Sequence, residues 1–147
     1  MRLTPIILIT ITSCVTLAPS HHRQQSESLR AEGTRAAVHA RISANLARTV
    51  GPGAILYSNA ATGRVIARGW IECRQLSELQ TAMGNRNVVH FDLDLKISGG
   101  RVRADYLDIR YLVHGRNGRY LHGPETAADA VRIYRMCLRG IARRLTR

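Results

Sequence analysis

The sequence predicts an α+β domain in the order helix, hairpin, hairpin, helix, and three observations carry that reading. Val38, Ile42, Leu46 and Val50 recur every four residues, the stripe of an amphipathic helix. Val89, Phe91, Leu93, Leu95 and Ile97 alternate with His90, Asp92, Asp94 and Lys96, a half-buried antiparallel strand with one wet face. Near the C-terminus, Val131, Tyr134, Leu138, Ile141 and Leu145 form a second helical stripe. The 147 residues leave room for one small domain, and 45% hydrophobic with 22% charged content is a globular composition rather than a disordered one.

The first residues read as an export address. Arg2 precedes an apolar run from Leu3 to Ile11, which closes on Ile11-Thr12-Ser13-Cys14. This is the pattern of a secretory signal, and it is far too short to span a membrane. Its last four residues resemble the lipobox of bacterial lipoproteins, which implies a signal peptide over 1–13 and lipid on Cys14. The alternative is an ordinary signal peptide with a chance cysteine. Residues 14–33, with Pro19, Ser20, His21-His22 and Gln24-Gln25, lack apolar periodicity and read as a flexible tether. Residues 34–147 are the expected domain.

Thr34 suits an N-cap for the first helix, and Gly51-Pro52-Gly53 ends it. Arg41 and Arg48 fall off its apolar stripe, on the solvated side. The first hairpin follows, with a strand at 54–58, turn chemistry at 59–63 and a return strand at 64–73. Val65, Ala67, Gly69, Ile71 and Cys73 share one face of the return strand; Arg64, Ile66, Arg68, Trp70 and Glu72 share the other. Residues 74–84 read as a short helix or a loop. Gly99-Gly100 suits a tight turn after the alternating strand. Partners across that turn then sum to 199, so Ile97 faces Val102 and Asp94 opposes Asp105. Diagonal pairs (Asp94 with Arg103, Lys96 with Asp105) would relieve the like charges in a solvated lattice. A cation held by His90, Asp92, Asp94 and Asp105 is the alternative. The apolar parity of the next strand slips at Leu107-Asp108, which predicts a β-bulge. Residues 115–123 read as a loop in which Tyr120 and Leu121 suit a short strand, and Pro124 suits the start of the last helix.

Net charge is +12, and Lys96 is the only lysine. Such a balance favours anionic partners. Arg101 and Arg103 on the second hairpin, and Arg132, Arg135, Arg139 and Arg143 striping the last helix, are the candidate binding surface. An apolar stripe flanked by arginines suits a membrane surface, and equally a helix packed on a sheet. Cys73 and Cys137 form an even pair if Cys14 carries lipid. They are either a disulfide, closing a loop with up to about 4 kcal/mol of stabilisation, or two buried thiols. There is no phosphate-binding glycine loop, zinc-spaced Cys/His set or nucleophile elbow, so neither an enzyme nor a cofactor or metal site is expected.

Residues 54–70 read Ala-Ile-Leu-Tyr-Ser-Asn-Ala-Ala-Thr-Gly-Arg-Val-Ile-Ala-Arg-Gly-Trp. Residues 91–109 read Phe-Asp-Leu-Asp-Leu-Lys-Ile-Ser-Gly-Gly-Arg-Val-Arg-Ala-Asp-Tyr-Leu-Asp-Ile. These two hairpins resemble a bacterial domain-of-unknown-function family with a TATA-binding-protein-like (TBP-like) fold, common in exported proteins and lipoproteins, over about residues 35–145. The resemblance implies a curved antiparallel sheet of four to five strands with the N-terminal and C-terminal helices packed on one face. It brings no activity and no catalytic residue.

The expected function is therefore a non-catalytic cell-envelope lipoprotein on the periplasmic side, held to the membrane by its lipid. Its partner would be an anionic lipid, a glycan or an envelope protein. The alternative is a secreted or intracellular basic domain binding nucleic acid, with Trp70 and Tyr57 stacking beside Arg64 and Arg68. The export signal argues against that ligand.

Overall fold

The computed structural model describes residues 23–50, 55–76, 86–115, 118–122 and 126–147. Its strands are β1 (Gln25–Arg30), β2 (Ile55–Asn59), β3 (Arg64–Glu72), β4 (Arg86–Ser98), β5 (Arg101–Gly115) and β6 (Gly118–His122). Helix α1 is Arg35–Thr49, α2 is Ala127–Ile133 and α3 is Ile141–Thr146, with a π-helical turn, Tyr134–Leu138, following α2. The sheet is antiparallel throughout, in the order β1-β5-β4-β3-β2, and β6 pairs with the second half of β5. The two expected hairpins supply four neighbouring strands, β5-β4-β3-β2, and β1 and β6, both paired with β5, extend the sheet to six strands. The core lies between one sheet face and the helices, with Val38, Ile42, Leu46 and Val50 of the first stripe all buried in it.

The Gly99-Gly100 turn sets the register the sequence implies, because both glycines adopt positive φ (52° and 74°) at no steric cost. Ile97 faces Val102, Leu95 faces Ala104 and Leu93 faces Tyr106. The register then shifts between His90 and Asp92, opposite the predicted bulge, where Asp108 has φ 50°. Arg23 closes the outer side of this bulge. Its carbonyl accepts from Ile109 N–H at 3.1 Å and its guanidinium pairs with Asp108.

One expectation is corrected at β1. Residues 25–30 lie in the segment read as a tether, yet they pair with Arg101–Tyr106. Gln25, Glu27 and Leu29 alternate inward as half-buried residues, so a period of two is present, but two of its three inner positions are polar. Residues 1–22, including the expected leader and Cys14, lie outside the described residues.

Helix α1 begins as expected, with Thr34 Oγ1 accepting from Ala37 N–H at 3.3 Å. Arg41 is not merely solvated. It donates to the Thr146 carbonyl at 2.8 Å while Asn45 donates to that of Leu145 at 3.2 Å, so α1 satisfies two carbonyls at the end of α3. Gly69 lets the other end of α1 approach the sheet. A Cβ there would lie 2.9 Å from Val50 Cβ and 3.3 Å from Phe91 Cζ.

The last helix is not as continuous as expected, and Pro124, its expected start, lies outside the described residues. It starts at Ala127 because Thr126 is an extended N-cap with a reciprocal capping box to Asp129. After the π turn it breaks at Arg139-Gly140, where Gly140 has φ 91°. The break leaves an N–H at the start of α3 inside the core, and the Tyr106 hydroxyl accepts it from Ala142 at 3.2 Å. That hydroxyl donates to Glu27 of β1 at 2.7 Å. Cys137, in the π turn, is disulfide-bonded to Cys73 at the end of β3, with the Cα atoms 5.6 Å apart.

Tyr106→Phe keeps the ring and removes the hydroxyl's hydrogen bonds, leaving a buried N–H unpaired. The expected cost is about 1–3 kcal/mol in urea unfolding, with the disulfide still formed. Gly69→Ala is expected to cost a similar 1–3 kcal/mol, roughly, by overpacking against Val50; a neutral or stabilising effect would contradict the close approach.

Candidate functional site

The sheet face away from the helices is open, and its charges are organised rather than scattered. Arg64 forks onto Asp94 at 3.0 and 2.9 Å, and Arg68 onto Asp92 at 2.8 and 3.0 Å. Lys96 sits 3.5 Å from both Asp94 and Asp105. Asp105 also accepts from Ser26 at 2.6 Å and Arg103 at 2.9 Å. Arg110 reaches Asp108 at 2.8 Å, and Arg86 reaches Glu72 at 3.0 Å. This corrects the expected diagonals in part: Lys96 meets Asp105, but Asp94 is taken by Arg64 from β3, and Arg103 turns along its own strand. The carboxylates of the alternative cation site are thereby engaged by guanidinium or ammonium groups. Among the described residues no cluster of three metal-ligating side chains occurs.

These arrangements bias the titrating groups. Burial pushes the Asp105 carboxyl up, but the hydrogen bonds from Ser26 and Arg103 and the charges of Arg103 and Lys96 outweigh it, so its pKa is lowered. Hydrogen bonding and charge from Asp94 and Asp92 raise Arg64 and Arg68 respectively. Burial, helped by neighbouring His114, lowers His90. On the helix side, burial and then Glu27 raise Tyr106, and push Tyr134 up to about 12.

Beyond the bulge, β5 changes parity and brings Arg110, Leu112 and His114 onto the open face beside His90 and Trp70. Two adjoining hollows result, sharing His90 and Leu112. One, of about 460 Å³, is bounded by Arg68, Asp92, Asp108 and Arg110; the other, of about 250 Å³, by Trp70, Arg86, Val88 and His114. Sequence reasoning placed His90, Asp92 and Trp70 on this face but did not join them to Arg86, Leu112 and His114. The signal was the parity slip at Leu107-Asp108, which carries the strand on to residue 115 with its wet side preserved.

The arginines singled out from sequence divide between two places. Arg103 belongs to the open-face lattice. Arg101 lies opposite Arg30 of β1, and Arg30 borders a cleft of about 810 Å³ with Arg41, Arg143, Arg147, Glu27 and Glu32. Arg132, Arg135, Arg139 and Arg143 are all exposed on the helical layer, but the break at Gly140 splits the expected stripe between α2, the π turn and α3. No carboxylate pairs with these four among the described residues. Among those residues, too, no helix is long and apolar enough to cross a membrane.

The architecture is a TBP-like α+β fold. The chain superposes on a TBP-like protein from Parabacteroides distasonis with a TM-score of 0.53 and 14% identity, over 69% of this chain and 65% of that one. A DUF4468 family protein from Bacteroides ovatus is similar with a TM-score of 0.48 and 14% identity, over 67% and 59% of the two chains. The likeness spans less than two thirds of either solved chain. At this identity the likeness to the Parabacteroides protein defines a fold and not an activity. No protein family and no curated protein matches the chain.

A pH dependence of stability follows from the shifted groups. His90 and Asp105 have folded pKa values below their unfolded ones, so each contributes stability at high pH that is lost on acidification. The loss begins near pH 6.5 for His90 and near pH 4, roughly, for Asp105. Tyr134 has the opposite sign: its contribution is complete below about pH 10 and disappears as pH rises towards about 12. Urea unfolding across pH is expected to show these limbs, and His90→Gln to flatten the one below about pH 6.5. An unaltered limb in that variant would remove His90 as its source.

Proposed function

We propose that this chain is a non-catalytic binding module of the bacterial cell envelope, anchored through lipid on Cys14, whose helical layer meets an anionic surface. The observation that carries the reading is the contrast between two faces. The open-face carboxylates Glu72, Asp92, Asp94, Asp105 and Asp108 are all in ion pairs, whereas exposed Arg132, Arg135, Arg139 and Arg143 have no carboxylate partner among the described residues. Unbalanced cations on a surface are attracted to anionic lipid head groups by about 1 kcal/mol each. Exposed Met136 lies among them, an apolar side chain that suits the same boundary.

The Cys73–Cys137 bond supports an oxidising compartment, which agrees with the leader. The engagement of every open-face aspartate in an ion pair with arginine or lysine supports the non-catalytic part. The nucleic-acid alternative draws less support. Arg64 and Arg68, which would flank stacked bases, are committed to Asp94 and Asp92, and a polyanion on that face would meet those carboxylates as well.

Protein recovered from the bacterial envelope is expected to carry a diacylated or triacylated Cys14 by N-terminal peptide mass. An intact Met1 in the soluble fraction would overturn the anchor. In sedimentation with vesicles, phosphatidylglycerol is expected to bind the folded domain more tightly than phosphatidylcholine. Replacing Arg132, Arg135, Arg139 and Arg143 by Gln should weaken that binding by at least about a hundredfold. Equal binding to both lipids would sink the anionic-surface reading.

A further inference from the structure

The two joined hollows on the open face have a chemistry unlike that of the arginine-bearing helices. Half-buried Leu112 is common to both floors, and the smaller hollow adds Val88, 6% exposed, and Trp70, 39% exposed. Their rim is polar, and each of its arginines holds a carboxylate: Arg68 holds Asp92, Arg110 shares Asp108 with Arg23, and Arg86 reaches Glu72 just outside the hollows. The Arg68 fork uses Nε and one Nη, so further N–H donors and carboxylate lone pairs remain for a ligand. Each ion pair therefore offers adjacent donors and acceptors in a fixed geometry.

Such a site suits a molecule with one apolar C–H face and many hydroxyls. A polyanion would meet Asp92 and Asp108 beside the arginines, and a purely apolar ligand would leave the remaining donors and acceptors of the forks without partners. Trp70 and Arg68 are two residues apart on β3, about 7 Å along the strand, which is the reach of one sugar ring. In register, Trp70 faces His90 and Arg68 faces Asp92. Burial and His114 favour a neutral His90 imidazole, which both donates and accepts hydrogen bonds.

We propose that this groove binds a short, uncharged saccharide, with one ring stacked on Trp70 and its hydroxyls held by His90 and the Arg68–Asp92 pair. The site goes beyond the anionic-surface reading and stands on the opposite side of the sheet from the residues that carry it.

Trp70 is the only tryptophan of the chain, so its emission reports this groove directly. The full chain would be titrated with chitotriose, cellotriose and maltotriose. At least one is expected to shift the emission in a saturable way, with a dissociation constant of about 1 mM or tighter. The affinity should change less than about twofold between roughly 0.05 and 0.5 M salt, as expected for an uncharged ligand. By calorimetry, Trp70→Ala should weaken binding at least about tenfold and Trp70→Phe less, since Phe keeps an aromatic face. Trp70 is exposed, so the fold should survive, which far-ultraviolet circular dichroism would verify. Arg139→Gln, on the helical layer, should leave saccharide binding unchanged even if it weakens vesicle binding. No saturable shift with any of the three sugars would overturn the proposal. So would a single-stranded oligonucleotide that shifts Trp70 emission with a steep loss on added salt, which would reassign the groove to nucleic acid.

Discussion

The Tyr106 hydroxyl is the point on which three parts of the fold converge. It belongs to β5, donates to Glu27 of β1, and accepts the Ala142 N–H at the start of α3. Its ring is fully buried and packs edge-on against Tyr134 at 5.4 Å and obliquely against Phe91 at 5.7 Å. A helix that starts inside a core leaves N–H groups without partners, and Gly140 has no side chain with which to cap α3. The break is tolerable because a hydroxyl from the sheet occupies the capping position. The same hydroxyl gives β1 a polar anchor on its inner face through Glu27, which also borders the arginine-lined cleft. The carbonyl end of α3 is met in turn by Arg41 and Asn45 of α1. The short last helix is thus held at both ends by side chains from other elements.

What was legible in the sequence follows from the same physics. The register of the second hairpin could be read because three signals agreed: a period of two, a two-glycine turn and a parity slip. Each has a steric cause, so the register and the bulge at Asp108 followed. Strand β1 could not be read that way. Its inner residues are Gln25, Glu27 and Leu29, and the pairing is stabilised by Ser26 on Asp105 and Glu27 on Tyr106, contacts that exist only once β5 is in place. The break in the last helix was hidden for the opposite reason. Tyr134, Leu138, Ile141 and Leu145 keep a helical spacing across Gly140, so the apolar pattern runs through a point where the backbone does not.

Candidate functional residues divide along the same line. The helical arginines are visible as a repeated residue type. The groove around Trp70 is not, because its walls come from three strands and depend on β5 switching parity before Arg110. A motif search has nothing to find there, since Trp70, His90 and Leu112 share a face only through pairing.

The use of arginine on the open face also has a geometric basis. A guanidinium presents two parallel N–H groups to one carboxylate, so Arg64 with Asp94 and Arg68 with Asp92 each form a planar fork that fixes both partners. A fork serves one carboxylate well and two carboxylates poorly. The register forces Asp94 directly opposite Asp105, a like-charge pair that costs stability unless something lies between them. The residue that does so is Lys96, a compact charge at 3.5 Å from each, and it is the single lysine of the chain. Replacing it with arginine would keep the charge yet favour one aspartate over the other. The one departure from arginine therefore falls where the strand pairing calls for a point charge instead of a fork.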